Sequence, residues 1–147
     1  MSDLVRFGVA MDRALLAEFD RRITAQGYEN RSEALRDLVR ADLTRAAWDE
    51  GAEVAATLTV VYAPEVRELV LRISELEEQH AGSVVSSLLV RLDEGRVLQV
   101  MVLKGRGADL SGLAGQLAGA KGVLSCALTP AAALAEAPPE APRRPRG

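Results

Sequence analysis

The sequence contains few of the residues that carry out chemistry. Its 147 residues include one cysteine and one histidine, and aromatic side chains make up 3% of the chain. Because Cys126 is the single cysteine, no intramolecular disulfide can form. Nucleophilic catalysis needs a nucleophile beside a base that a third group orients, and no serine, histidine and acid can be placed together here. We therefore expect that the protein is not an enzyme.

Long apolar segments and a strong charge of one sign are also missing. No apolar run approaches the ~20 residues that cross a bilayer, and no basic-then-apolar leader begins the chain. We therefore expect a soluble, cytoplasmic protein with no membrane partner. The formal net charge is −3, so any attraction to nucleic acid must come from the local placement of arginines.

What the sequence does contain begins with one predicted strand, Arg6–Met11, followed by two amphipathic helices and no nearby strand to pair with. A lone strand leaves its backbone donors and acceptors unpaired, so we expect the same strand of a second copy to pair with it. One face of the strand can pack on the helices through Phe7, Val9 and Met11. The other face carries Arg6, Gly8 and Ala10. Because a two-stranded ribbon standing on helices fits the DNA major groove, this outer face is the predicted base-reading surface.

Local capping signals place the two helices. Asp12 is predicted to cap the first helix, and Gly27 supplies the left-handed residue that commonly ends a helix. Asn30 and Glu33 have the spacing of a capping box at the start of the second helix. The exposed amides of that helix start can hold a phosphate, so the predicted backbone contacts with DNA come from the tripeptide Asn30, Arg31 and Ser32.

A second region begins after a short polar connector, and its pattern predicts the order strand, helix, strand, strand, helix, strand. The strands are predicted over residues 56–62, 83–92, 96–103 and 122–128, and this order is the split βαβ arrangement. We predict a DNA-binding and dimerisation domain over residues 1–47, a linker over 48–53 and a second domain over 54–129, which the resemblance described below implies is a regulatory and tetramerising domain. Residues 130–147 are rich in alanine, proline, glutamate and arginine, which predicts a disordered tail.

Two stretches of the sequence resemble the nickel-responsive ribbon-helix-helix repressors: Gly27–Arg40 (GYENRSEALRDLVR) and Val102–Gly105 (VLKG). The similarity spans nearly everything between Val5 and Thr129. It implies an α+β fold, in which a ribbon-helix-helix DNA-binding domain precedes a βαββαβ ferredoxin-like regulatory domain of the amino-acid-binding (ACT) type. It also implies a regulator that dimerises through its ribbon, tetramerises through its C-terminal domain and binds a double-stranded DNA operator.

The resemblance further implies a nickel site made of three histidines and one cysteine. The four corresponding positions in this sequence hold Glu78, Leu89, Arg91 and Val97. These side chains cannot reproduce the imidazole and thiolate set that suits nickel, so we expect no bound nickel and no other cofactor, although the family implies the metal. His80 lies two residues beyond one of the positions, and a contribution of its imidazole to residual metal binding stays open here. An ion pair between Glu78 and Arg91 could instead bridge two copies, or both could be merely exposed.

The resemblance also implies a secondary cation held by Glu33 and Asp37, which lie four residues apart on one helix face. The alternative is that Arg36, Arg40 or solvent compensates the negative charges of Glu33 and Asp37.

Two functional hypotheses follow. The favoured one is a sequence-specific DNA-binding transcriptional regulator that acts as a repressor. In it Arg6 carries most of the base readout, because Gly8 and Ala10 offer only close approach and apolar contact. The alternative is an assembly or interaction module whose ACT-like domain senses a small molecule such as an amino acid.

Overall fold

The computed structural model describes residues 3–134, which form two compact units divided between Ala41 and Asp42. We call residues up to Ala41 the N-terminal unit and residues from Asp42 the C-terminal unit. The elements in chain order are α1 (Arg13–Ala25), α2 (Arg31–Asp49), β1 (Glu53–Tyr62), α3 (Arg67–Gln79), β2 (Val84–Asp93), β3 (Arg96–Arg106), α4 (Gly107–Ala118) and β4 (Val123–Ala133). No helix among the described residues has the length and apolar character needed to span a bilayer.

Helix α1 begins and ends at the predicted capping residues. The Asp12 carboxylate accepts a hydrogen bond from the Leu15 backbone N–H at 2.8 Å. At the other end Gly27 has φ +84°, a conformation that glycine adopts without steric cost. This turn lets the Tyr28 N–H bond the Ile23 carbonyl at 3.0 Å, so the last carbonyls of the helix are paired. Both predictions are confirmed.

The segment before α1 differs from the predicted strand when a single chain is considered. Residues 3–12 form no strand, because a strand requires a hydrogen-bonded neighbour and residues 3–134 offer none to this segment. Phe7 is 79% exposed and Val9 is 57% exposed, so they do not pack on the helices of their own chain. Three apolar side chains of α2 are exposed as well: Leu38, Val39 and Leu43.

The C-terminal unit is a four-stranded antiparallel sheet in the order β2-β3-β1-β4. With α3 and α4 in the chain between these strands, the order β1, α3, β2, β3, α4, β4 confirms the predicted split βαβ arrangement. Alternate residues of β1 from Val54 to Tyr62 are buried. They join side chains of β3, α3 and α4 in one hydrophobic core, against which Trp48 at the end of α2 also packs.

Two predicted boundaries differ from the observed elements. The predicted linker starts at residue 48, whereas α2 continues through Asp49 and β1 begins at Glu53. Disorder from Pro130 onward is wrong for the first four residues, since β4 runs to Ala133 and pairs Pro130 with Ala56. Backbone bonds with β1 order this stretch despite its composition. Residues 135–147 of the predicted tail lie outside the described residues, and the exact domain limits stay a prediction.

Candidate nucleic-acid interface and metal-ligand positions

The predicted base-reading residues lie in the exposed segment ahead of α1. Arg6, Gly8 and Ala10 are all exposed, and the space around the Gly8 Cα is open, with no atom within 4 Å of where a Cβ would stand. Within residues 3–134 nothing covers these three residues, so the described part of the chain leaves them accessible to a second molecule.

The structure shows one of the two hydrogen bonds of the predicted capping box at the start of α2. The Asn30 side-chain oxygen accepts a hydrogen bond from the Glu33 N–H at 2.8 Å, which leaves earlier amides of the helix available to a ligand. Ser32 is exposed beside them. Asn30 therefore acts first on its own helix, and any contact it makes with a phosphate must use its remaining polar atoms.

Arg31 has a partner that the sequence analysis missed. Its Nε and Nη2 atoms donate to the two carboxylate oxygens of Asp20, each at 2.8 Å. The Arg31 guanidinium holds the pKa of Asp20 below its usual value, mainly through this hydrogen bonding. Because Asp20 lies on α1, eleven residues away, no local spacing rule could have identified the pair.

Asp37 is also engaged within the N-terminal unit. The Tyr28 hydroxyl donates to its Oδ2 at 2.8 Å, and the Arg40 guanidinium lies 3.3 Å from its Oδ1. The hydrogen bond to Asp37 is the main cause of a raised Tyr28 pKa. Arg40 thus compensates the charge of Asp37, which was one of the alternatives considered from the sequence. Both carboxylate oxygens of Asp37 have a polar partner. The role of Glu33 in holding a cation stays a prediction.

Three of the four positions that correspond to the family's nickel ligands come together on one face of the sheet. Arg91 and Val97 are cross-strand partners of β2 and β3, and Leu89 lies two residues along β2 from Arg91. Glu78 is an exposed residue near the end of α3. Leucine and valine side chains carry no donor atom, and a guanidinium is a cation, so these residues do not fit nickel.

A polar cluster lies on the same face, next to these positions. The amide nitrogen of Gln99, a residue 6% exposed, donates to Glu77 and to Ser87 at 2.8 Å, and its amide oxygen accepts from the Tyr62 hydroxyl at 3.1 Å. Burial first, and the Glu77 charge second, raise the pKa of Tyr62. The sequence analysis missed this cluster, although a glutamine inside the apolar strand Arg96–Leu103 was a signal for it.

The remaining candidate ligands stand apart from one another. His80 follows α3, and its backbone N–H donates to the Leu76 carbonyl at 3.0 Å. The thiol of Cys126 is half-buried, and burial raises its pKa. Within residues 3–134 no group of three or more histidine, cysteine, aspartate or glutamate side chains is arranged to hold a metal ion.

Comparison with known proteins assigns both regions of the chain. The family described as "Ribbon-helix-helix protein, copG family" matches residues 5–46, and the family described as "NikR C terminal nickel binding domain" matches residues 55–131. A relative from Trichlorobacter lovleyi, described as "Putative nickel-responsive regulator", is 46% identical over 124 residues, which cover 84% of this chain and 89% of the relative. A relative with the same description from Thermococcus onnurineus is 43% identical over 121 residues, covering 82% and 88% of the two chains.

Proposed function

The chain belongs to the family of nickel-responsive ribbon-helix-helix transcriptional regulators, and we propose that it represses transcription by binding one specific operator sequence. The observation that carries this proposal is the exposed segment of residues 3–10, which precedes two capped helices in a region matched by the ribbon-helix-helix family. As a DNA-binding regulator it would act in the cytoplasm, where it needs no catalytic activity.

A second copy of the chain is the partner that completes the N-terminal unit in this proposal. The unit leaves Phe7, Val9 and Leu38 exposed, each by more than half of its surface. A partly apolar cleft of about 280 Å³ lies between α1 and α2, lined by residues such as Phe19, Ile23 and Leu38. Pairing of the two N-terminal segments would satisfy their backbone groups and cover this apolar surface. The same pairing would turn Arg6, Gly8 and Ala10 toward a DNA groove.

The chemistry of these side chains suggests different roles for them in DNA binding. Arg6 can donate two hydrogen bonds to one guanine, which discriminates by about 1–3 kcal/mol. Gly8 and Ala10 permit close approach to the bases. Asn30, Ser32 and the first amides of α2 would contact phosphate and fix the position of the ribbon without reading sequence. Arg31 lies between them with its charge engaged by Asp20.

The C-terminal unit would act as a regulatory and tetramerising domain that does not use the nickel site of the family. The support is chemical, because Leu89, Arg91 and Val97 meet on one sheet face without an imidazole or thiolate among them. Arg91 and Glu78 are exposed and opposite in charge. We propose that they pair between copies in the tetramer, at a small gain in free energy, as exposed ion pairs give.

A DNA-binding titration of the full chain tests this function. Operator duplexes are selected from a random-sequence library, and affinities for selected and scrambled duplexes are measured by fluorescence anisotropy for the wild type and for Arg6→Ala. We expect Arg6→Ala to reduce the selected-to-scrambled affinity ratio by about 5- to 150-fold, which corresponds to about 1–3 kcal/mol. Arg21→Ala, the same change on α1, is the control.

The same titration is repeated with chelator and with added nickel, and we expect unchanged affinity. Retained discrimination by Arg6→Ala would place base recognition elsewhere, and a strong dependence on nickel would overturn the metal-independent proposal. Absence of any duplex binding by the wild type would refute the function itself.

A further inference from the structure

The ion pair between Asp20 and Arg31 differs from its neighbours in what it connects. Five other ion pairs among the described residues join positions three apart along the chain: Glu18 with Arg21, Asp37 with Arg40, Asp42 with Arg45, Arg72 with Glu75, and Asp93 with Arg96. Asp20 and Arg31 instead join α1 to the first residue of α2. A contact between two helices has a consequence for geometry that a contact along one helix lacks.

The ion pair between Asp20 and Arg31 is bidentate. Two nitrogen atoms of Arg31 meet two oxygen atoms of Asp20, both at 2.8 Å. A planar guanidinium matches a carboxylate in this two-point arrangement, which is more directional than a single-point contact. Arg31 is thereby held in one orientation, and its positive charge is balanced by an adjacent negative one.

The position of the pair gives this charge balance its importance. Arg31 lies between Asn30 and Ser32, the two residues that the proposed function places against phosphate. An arginine there would ordinarily add one phosphate contact of the kind that attracts any DNA sequence equally. The Asp20 carboxylate competes with phosphate for the same guanidinium. A phosphate that took Arg31 would leave Asp20 negative and unpaired beside the DNA backbone.

We propose that Asp20 limits the sequence-independent part of DNA binding by withholding the Arg31 guanidinium from the phosphates. This inference rests on the proposed function. Non-specific affinity is a sum of charge contacts, whereas base readout by Arg6 does not depend on Asp20. Withholding one charge contact therefore lowers the affinity that the protein has for DNA of any sequence, without touching a base.

The test compares Asp20→Asn with Glu18→Gln in the full chain. Both variants neutralise one exposed acid on α1 that pairs with an arginine, so they change the net charge equally. Only the first releases an arginine at the start of α2. Binding to a scrambled duplex is measured between 50 and 200 mM salt, because the slope of log affinity against log salt counts phosphate contacts at about 0.9 each.

We expect Asp20→Asn to steepen this slope by about 0.9 per chain and to raise affinity for the scrambled duplex several-fold at the lowest salt. Glu18→Gln should leave the slope unchanged. Adding Arg31→Ala to Asp20→Asn should restore the wild-type slope, and Asp20→Ala provides the same comparison if the asparagine variant folds poorly.

An equal slope for Asp20→Asn and Glu18→Gln would overturn the inference, since Arg31 would then be free of phosphate in both proteins or bound to it in both. A steeper slope that persists in the double variant would also overturn it. If wild-type protein bound neither selected nor scrambled duplex, the proposed function would fail first, so the two failures are distinguishable.

Discussion

The two units of the chain differ in how completely they bury their own apolar side chains. Of the buried hydrophobic residues in the described part of the chain, fourteen belong to the C-terminal unit and form one cluster. The N-terminal unit contributes Ile23 and Ala34. Both units have well-capped or well-paired secondary structure, so local structure does not explain the difference. It shows that the C-terminal unit closes a core from one chain and that the N-terminal unit does not.

Size accounts for much of this contrast. A region of about 40 residues has too much surface for its volume and usually requires a disulfide, a metal or another chain. The N-terminal unit has no cysteine, since Cys126 lies in the C-terminal unit. Its exposed leucine, valine and phenylalanine side chains are therefore the surface on which a second copy would supply the missing core.

The largest expected effect comes from an apolar side chain that one chain leaves in water. Phe7→Ala should destabilise the protein by up to about 3 kcal/mol per chain, because the proposed dimer would bury the ring. It should also produce monomers at micromolar concentration in sedimentation velocity. Leu71→Ala is the control, since Leu71 of α3 is 65% exposed, comparable with the 79% of Phe7. Equally mild effects of the two substitutions would break the comparison between the units.

A smaller effect is expected where the C-terminal unit packs most tightly. A Cβ on Gly107 would stand 2.6 Å from the ring of Trp48, so Gly107→Ala must displace the indole. We expect a loss of stability near the lower end of about 1–3 kcal/mol, because Trp48 is half-buried and can move. Trp48 is the single tryptophan of the chain, so its fluorescence should shift to the red.

The matched control for that substitution lies on the same helix. Gly112 and Gly115 have open space where a Cβ would stand. Alanine at either position should stabilise the protein by about 0.5–1 kcal/mol through helix propensity. If Gly107→Ala behaved like these two, the close packing of Trp48 would not contribute to the stability of the unit.

The smallest expected effect separates the two tyrosines, one in each unit. Both have a pKa above the ordinary value of 10.0, Tyr28 mainly because it donates to Asp37 and Tyr62 mainly because it is buried. Asp37→Asn should therefore return Tyr28 to nearly ordinary titration in an ultraviolet absorbance experiment. Glu77→Gln should lower the pKa of Tyr62 only in part, since burial remains.

The raised pKa values of Tyr28 and Tyr62 determine how the stability of the folded protein depends on pH. A folded-state pKa above the unfolded value means that the folded state keeps its proton longer. The stabilisation is complete below pH 10 and is lost as the pH rises through the folded-state pKa. If Glu77→Gln returned the Tyr62 pKa fully to its ordinary value, burial could not be the main cause of the shift.

Features set by residues close in sequence were predictable from the sequence. The caps at Asp12 and Asn30 and the turn at Gly27 each depend on groups within a few residues, and spacing rules describe those groups directly. The element order of the C-terminal unit followed from the alternation of strand-like and helix-like residue patterns for the same reason.

Features set by distant partners were not predictable. The bidentate ion pair between Asp20 and Arg31 depends on how two helices pack, and composition gave no sign of it. The extension of β4 to Ala133 depends on pairing with β1, some 75 residues earlier in the chain. Alternation assigns two faces to residues 6–11, and this assignment stays a prediction, because the segment forms no strand among the described residues.

The position of Pro130 has a consequence for solubility. It lies in β4, an outer strand of the sheet whose single neighbour is β1. Proline has no backbone N–H, and natural sheets place it on edge strands as one of the features that discourage pairing with a strand from another molecule. A residue that looks from composition like the start of a tail thus occupies the kind of position at which proline limits edge-to-edge aggregation.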